Sequence, residues 1–240
     1  MTTTAPKTAT TPSVRLPGVL ALLAGVTDVT SWILLGGLFT AHVTGNLVLV
    51  AADIVTGSAP HLVTVLALPA FLITTVAATA VARKLAGNDR RMQRTLLGAQ
   101  AVLLAGAAVL SFVGHASASP QGGLALAIGL CAVCAMATQN AYLHLAWPKA
   151  PSTAVMTGNL VVATIALFDL ISSRAGTTTA LSRWKDTWPL LAGFVGGCFI
   201  GAAASMLFGD HAAVVPAILA IAIFAITTRT ARTSTTSRRS

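Results

Sequence analysis

The sequence predicts an all-α integral membrane protein with six transmembrane helices and two re-entrant half-helices arranged as an inverted repeat. Three observations carry that expectation. Of the 240 residues 55% are hydrophobic and 9% charged, with a mean hydropathy of +0.81, whereas a soluble domain carries roughly 25% charged residues. Runs such as LGAQAVLLAGAAVLSFV and LALAIGLCAVCAMA are apolar on every face, so they suit helices of about 20 residues crossing a core of about 30 Å and not the alternating strands of a barrel. A Thr-Gly-Asn triplet interrupts two apolar runs in the same way, in HVTGNLVLV (42–50) and VMTGNLVVA (155–163).

Taken in order, residues 1–15 (MTTTAPKTATTPSVR) are Thr- and Pro-rich, too polar for a targeting segment, and are expected to form a disordered cytoplasmic tail. Eight apolar segments follow: 16–35, 36–56, 62–82, 95–113, 123–147, 153–171, 188–208 and 213–228. They make one transmembrane domain, 16–228, with repeat one at 16–113 and repeat two at 123–228. Residues 229–240 form a basic cytoplasmic tail. If all eight segments crossed, nine Lys/Arg would lie inside and six outside; if the two triplet segments return to the side they came from, all fifteen lie inside. Cytoplasmic enrichment of Lys and Arg therefore favours six crossings with both termini cytoplasmic.

The first triplet segment fits a half-crossing. Gly45 to Thr56 is twelve residues, about 18 Å as a helix, and the preceding Gly36 to Thr44 would reach the midplane if extended. Thr and Asn favour helix N-termini because their oxygens accept from unpaired N–H groups, and Gly permits the change of direction. Each triplet is expected to start a half-helix near mid-membrane.

The halves agree beyond the shared TGNLV. Asp28 lies sixteen residues before Thr44 and Asn140 seventeen before Thr157. With three crossings per half, the second half is inverted relative to the first, a plan that recurs in secondary transporters and channels. An Asp in the first span, then Phe39 and TGN, then Gln139-Asn140-Ala141 and a second TG, resembles the YoaK-like bacterial membrane proteins, a domain-of-unknown-function family. The resemblance covers 18 to about 228 and implies a bacterial cytoplasmic (inner) membrane location; it implies no substrate or activity.

Asp28, central in the first span, is the leading candidate. A carboxylate is costly there and usually faces a protein-lined or wet interior; proton binding and a structural hydrogen-bonding role are both open. Asn140 can donate and accept but cannot titrate. Thr44, Gly45, Asn46, Thr157, Gly158 and Asn159 would complete a substrate-binding site between the half-helix starts. His42, two residues before the first triplet, is the candidate gate or proton partner, with packing as the plain alternative. His144 suits interfacial packing near Trp147. Asp53 and Asp169 are read as interfacial, although an acid near a helix C-terminus opposes the dipole. Gly193, Gly197 and Gly201 form a close-packing stripe, either within the subunit or as a homodimer seam.

The net charge of +9 does not point to nucleic acid, because the cations sit in short blocks between apolar runs and in the tails. Cys131, Cys134 and Cys198 lie in apolar helices and read as packing residues. No metal or other cofactor is expected. No GxSxG, HExxH or phosphate-binding loop is present, so an enzyme is not expected. The expected partners are the lipid bilayer and a small polar solute. The function expected is a transporter or channel for a small polar or anionic solute, proton-coupled if Asp28 titrates. A structural or assembly role is the alternative, and an intramembrane enzyme the weaker one.

Overall fold

The computed structural model describes residues 15–148, 151–153, 155–172 and 177–236. Most of the tail 1–15, residues 237–240, Lys149 and Arg174 lie outside them. Among the described residues there are eight α-helices: α1 (Arg15–Leu34), α2 (Gly45–Thr56), α3 (Leu62–Lys84), α4 (Asp89–Leu110), α5 (Gly123–Ala146), α6 (Met156–Ser172), α7 (Thr177–Phe208) and α8 (Val214–Thr236). Five stretches among the described residues are long and apolar enough to cross a membrane: Leu16–Leu34, Leu62–Lys84, Asp89–Leu110, Gly123–Ala146 and Thr178–Arg229. The last holds both α7 and most of α8, joined by a 3-10 turn at Gly209–Ala213. The helices α2 and α6 are apolar but shorter, at 12 and 17 residues, about 18 and 25 Å long.

Several element boundaries differ from the sequence reading, each for a local reason. α4 starts six residues earlier than expected, because Asn88 caps it by accepting from the Arg91 N–H at 3.0 Å and Asp89 sits in its first turn, where an acid favours the helix dipole. α7 starts at Thr177 and carries Arg183 and Lys185 on its polar first turns. α8 runs on to Thr236, so the residues assigned to a basic tail from 229 begin as helix.

α1 and α5 are the most buried of the apolar helices. α1 packs along α7, while α5 packs against α3 and α4; α2 lies on α3, α6 on α7, and α4 meets α8. The pairing thus exchanges partners between the two halves of the chain: the first helix of one half rests on the third helix of the other, in both directions. The α4–α5 contact is far more extensive than its counterpart between α8 and α1, so the two halves are not packed identically.

The glycine stripe accounts for the closeness of α1 and α7. A Cβ at Gly193 or Gly197 would collide with the backbone carbonyl of Gly18 or Leu22, and one at Gly201 would lie 2.8 Å from the Val26 carbonyl oxygen. From the other side, a Cβ at Gly25 would collide with the Phe194 carbonyl. Of the two roles open for the stripe, the structure shows contact within the subunit, against α1.

Candidate functional site

Between α1 and α2 the chain leaves helical geometry from Leu35 to Thr44. The expectation of an extended approach is corrected here: the segment turns and bends, beginning at Gly36 and Gly37 with φ of 72° and 97°, a region open mainly to glycine. Irregular backbone inside an apolar protein strands N–H and C=O groups, and each must find a partner. Two side chains supply them. Asp28 Oδ1 accepts from the Thr40 N–H at 2.7 Å, the Ala41 N–H at 2.7 Å and the Thr40 hydroxyl at 2.9 Å. Asn46 grips Phe39 at two points, its Oδ1 accepting from the Phe39 N–H at 3.0 Å and its Nδ2 donating to the Phe39 carbonyl at 2.7 Å.

The remaining Asp28 oxygen faces an imidazole. Oδ2 lies 2.6 Å from His42 Nδ1, a charge-assisted distance. Asp28 is 3% exposed and Asn46 1%. His42 Nε2 is buried with no hydrogen-bond partner among the described residues, and the ring meets Phe194 of α7 edge-on at 4.8 Å between centroids.

The second half repeats the arrangement in weaker form. Asn140, on α5, accepts from the Thr153 hydroxyl at 3.4 Å, as Asp28 accepts from Thr40. Asn159 Nδ2 donates to the Ser152 carbonyl at 2.7 Å, seven residues upstream, as Asn46 does to Phe39. Asn140 also donates to the Met136 carbonyl of its own helix at 3.0 Å. The asparagines of the triplets therefore reach backwards to hold the preceding bend. This corrects the capping account: Thr44 is the N-cap of α2 but makes no side-chain capping bond, and α6 begins at Met156, one residue before its triplet.

The candidate residues form two local clusters. Asp28, His42 and Asn46 gather at the first bend; Asn140 and Asn159 gather at the second, with no hydrogen bond between the clusters among the described residues. Thr44, Thr157 and Gly158 are exposed and Gly45 is half-buried, so within each triplet it is the Asn that points inward. His144 is exposed.

Other polar groups were not read from the sequence as site residues. Gln100 of α4 donates to Gln139 Oε1 at 2.7 Å, and Gln139 donates to the Leu20 carbonyl of α1 at 3.1 Å. This relay ties α4, α5 and α1 together, and its sequence signal was a Gln within each of two apolar spans, one of them in the Gln139-Asn140-Ala141 motif. At one end of the bundle, Asp210 in the α7–α8 turn accepts from the Ser117 N–H at 3.0 Å and lies 3.0 Å from His115 Nδ1. Burial pushes the Asp210 carboxyl up, but the hydrogen bonds from Ser117 and His115, with the charge of His115, outweigh it and hold the group below its ordinary value.

Compared with known proteins, residues 16–226 match the family described as "Protein of unknown function (DUF1275)". No curated protein and no solved structure matches.

Proposed function

The chain belongs to the DUF1275 family, and from that premise we propose that it is a proton-coupled transporter of a small polar solute. It would sit in a bacterial cytoplasmic membrane, with six crossings, α2 and α6 re-entrant from opposite sides, and both termini inside. The observation that carries the reading is the Asp28–His42 pair at a break in the first helix pair. An ionisable pair inside a membrane protein costs free energy and usually marks a proton or substrate path. One His42 nitrogen is committed to Asp28 and the other is buried without a partner among the described residues, which suits a ring that exchanges a proton with something not always present.

The inverted repeat is supported by the exchanged helix pairing and by the recurrence of the Asp28–Thr40 and Asn46–Phe39 bonds as Asn140–Thr153 and Asn159–Ser152. Only one half carries the titratable pair, so one bend would move protons and the other would stay neutral. We assign the protein no enzymatic role. A purely structural role is the competing reading, favoured by the use of the Asn46 amide on Phe39. Proteoliposomes loaded with a pH-sensitive dye decide between them: a solute screen should find one that acidifies or alkalinises the lumen with wild-type protein and not with Asp28→Asn. Solute flux absent across the screen favours the structural role.

A further inference from the structure

We propose that the cleft between the end of α1 and the end of α2 is a binding site for an organic ammonium group. The cleft has a volume of about 490 Å³ and is lined by Trp32, Ile33, Gly36, Gly37, Leu49, Asp53, His61 and Thr64. Asp53 is half-buried, and its carboxylate has no hydrogen-bond or ion-pair partner among the described residues. It lies in the last turn of α2, which ends at Thr56, where the helix dipole is negative and an acid is disfavoured. Stability does not explain an acid there; a bound cation would, because it meets the carboxylate and the negative helix end together.

No Lys or Arg occurs between Arg15 and Arg83; the basic side chain this segment brings to the cleft is His61, whose Nδ1 is buried with no hydrogen-bond partner among the described residues. Trp32, 41% exposed, offers an indole ring of the kind that attracts a cation to its face. The class of cation follows from the rest of the lining. A bare hard metal ion needs several oxygen ligands, whereas this cleft offers one carboxylate, the Thr64 hydroxyl and the His61 ring among Trp32, Ile33 and Leu49. A carboxylate set in apolar and aromatic walls fits a charged nitrogen carrying hydrocarbon. Such a group can come from a free amine or from an ethanolamine or choline lipid headgroup. The inference holds whether or not the protein transports.

The test uses the full chain in nanodiscs of phosphatidylglycerol, which has no amine, titrated with tetramethylammonium chloride at constant ionic strength and followed by calorimetry and tryptophan fluorescence. Saturable binding is expected, with the fluorescence change lost in Trp32→Phe. Asp53→Asn should weaken binding at least about tenfold, Asp53→Glu should largely retain it, and Asp210→Asn should leave it unchanged. Nanodiscs of phosphatidylethanolamine identify the source: an apparent affinity lowered there assigns the site to a lipid headgroup, and an unchanged one to a free amine. Absence of saturable binding overturns the proposal. So does binding unaffected by Asp53→Asn, or lost equally in Asp53→Asn and Asp53→Glu when both retain wild-type thermal stability.

Discussion

Asp28 and His42 are fourteen residues apart in sequence and 2.6 Å apart in space, and the same Asp28 side chain holds the backbone of Thr40 and Ala41. One carboxylate thus does two things through two oxygens: Oδ1 shapes the bend and Oδ2 meets the ring. Substitutions can separate the two. Asp28→Asn keeps an oxygen for the Thr40 and Ala41 N–H groups and should fold with near wild-type thermal stability, while abolishing coupled proton movement in proteoliposomes. Asp28→Ala strands the buried donors at about 1–3 kcal/mol each and should lower the unfolding temperature sharply. Equal stability of the two variants would contradict the dual role.

Asn46 is a clamp on Phe39, and its loss should be read as stability before affinity. Asn46→Ala leaves both the Phe39 N–H and carbonyl without their partner, and a cost of about 2–6 kcal/mol is expected from two stranded backbone groups. Asn159→Ala, which removes the bond to the Ser152 carbonyl, should cost less. Thermal unfolding of the two variants in detergent gives the order directly.

Gly197 and Gly196 are neighbours with opposite tolerance. A Cβ at Gly197 would collide with the Leu22 carbonyl, while one at Gly196 meets nothing within 4 Å. Gly197→Leu should therefore reduce folded yield without converting a dimer to a monomer, and Gly196→Ala should be accepted. Size-exclusion chromatography beside a thermal unfolding curve measures both.

The proposed six-crossing topology can be tested by labelling single cysteines in a background where Cys131, Cys134 and Cys198 are replaced. Ser58 and Ser117, both exposed, should label from outside, and the exposed Asn88 only from inside. External labelling at Asn88 would remove the proposed arrangement of all later helices.

Asp210 gives a pH dependence whose sign is fixed. Its folded pKa lies below the ordinary value of 3.8, so its contribution to stability is present above that value and is lost as the pH falls through the folded pKa. The unfolding temperature of wild type should exceed that of Asp210→Asn near pH 6, and the difference should shrink below about pH 4.

Much of the architecture was legible because a membrane imposes simple rules. A span needs a long apolar run, and Leu16–Leu34, Leu62–Lys84 and Gly123–Ala146 stand almost where hydropathy places them. The start of α4 was misplaced by six residues because Arg90, Arg91 and Arg94 read as loop, whereas Asn88 and Asp89 begin a helix that projects beyond its apolar part. At the site, the sequence marked Asp28, His42, Asn46, Asn140 and Asn159. It also marked Thr44, Thr157 and Gly158, which are exposed, because a shared triplet does not say which of its side chains points inward.

What the sequence by itself determined is the helical membrane class, the presence of two interrupted segments and the unusual carboxylate in the first span; each follows from composition or from spacing along the chain. Only the tertiary structure decided what those residues hold. The partners of Asp28 are the backbone of Thr40 and Ala41 and the ring of His42, Gln139 reaches Leu20 across 119 positions, and the glycines of α7 rest on α1. A broken helix strands backbone groups wherever the chain bends. Which side chain satisfies them depends on distances set by packing between helices, which spacing along the chain does not encode.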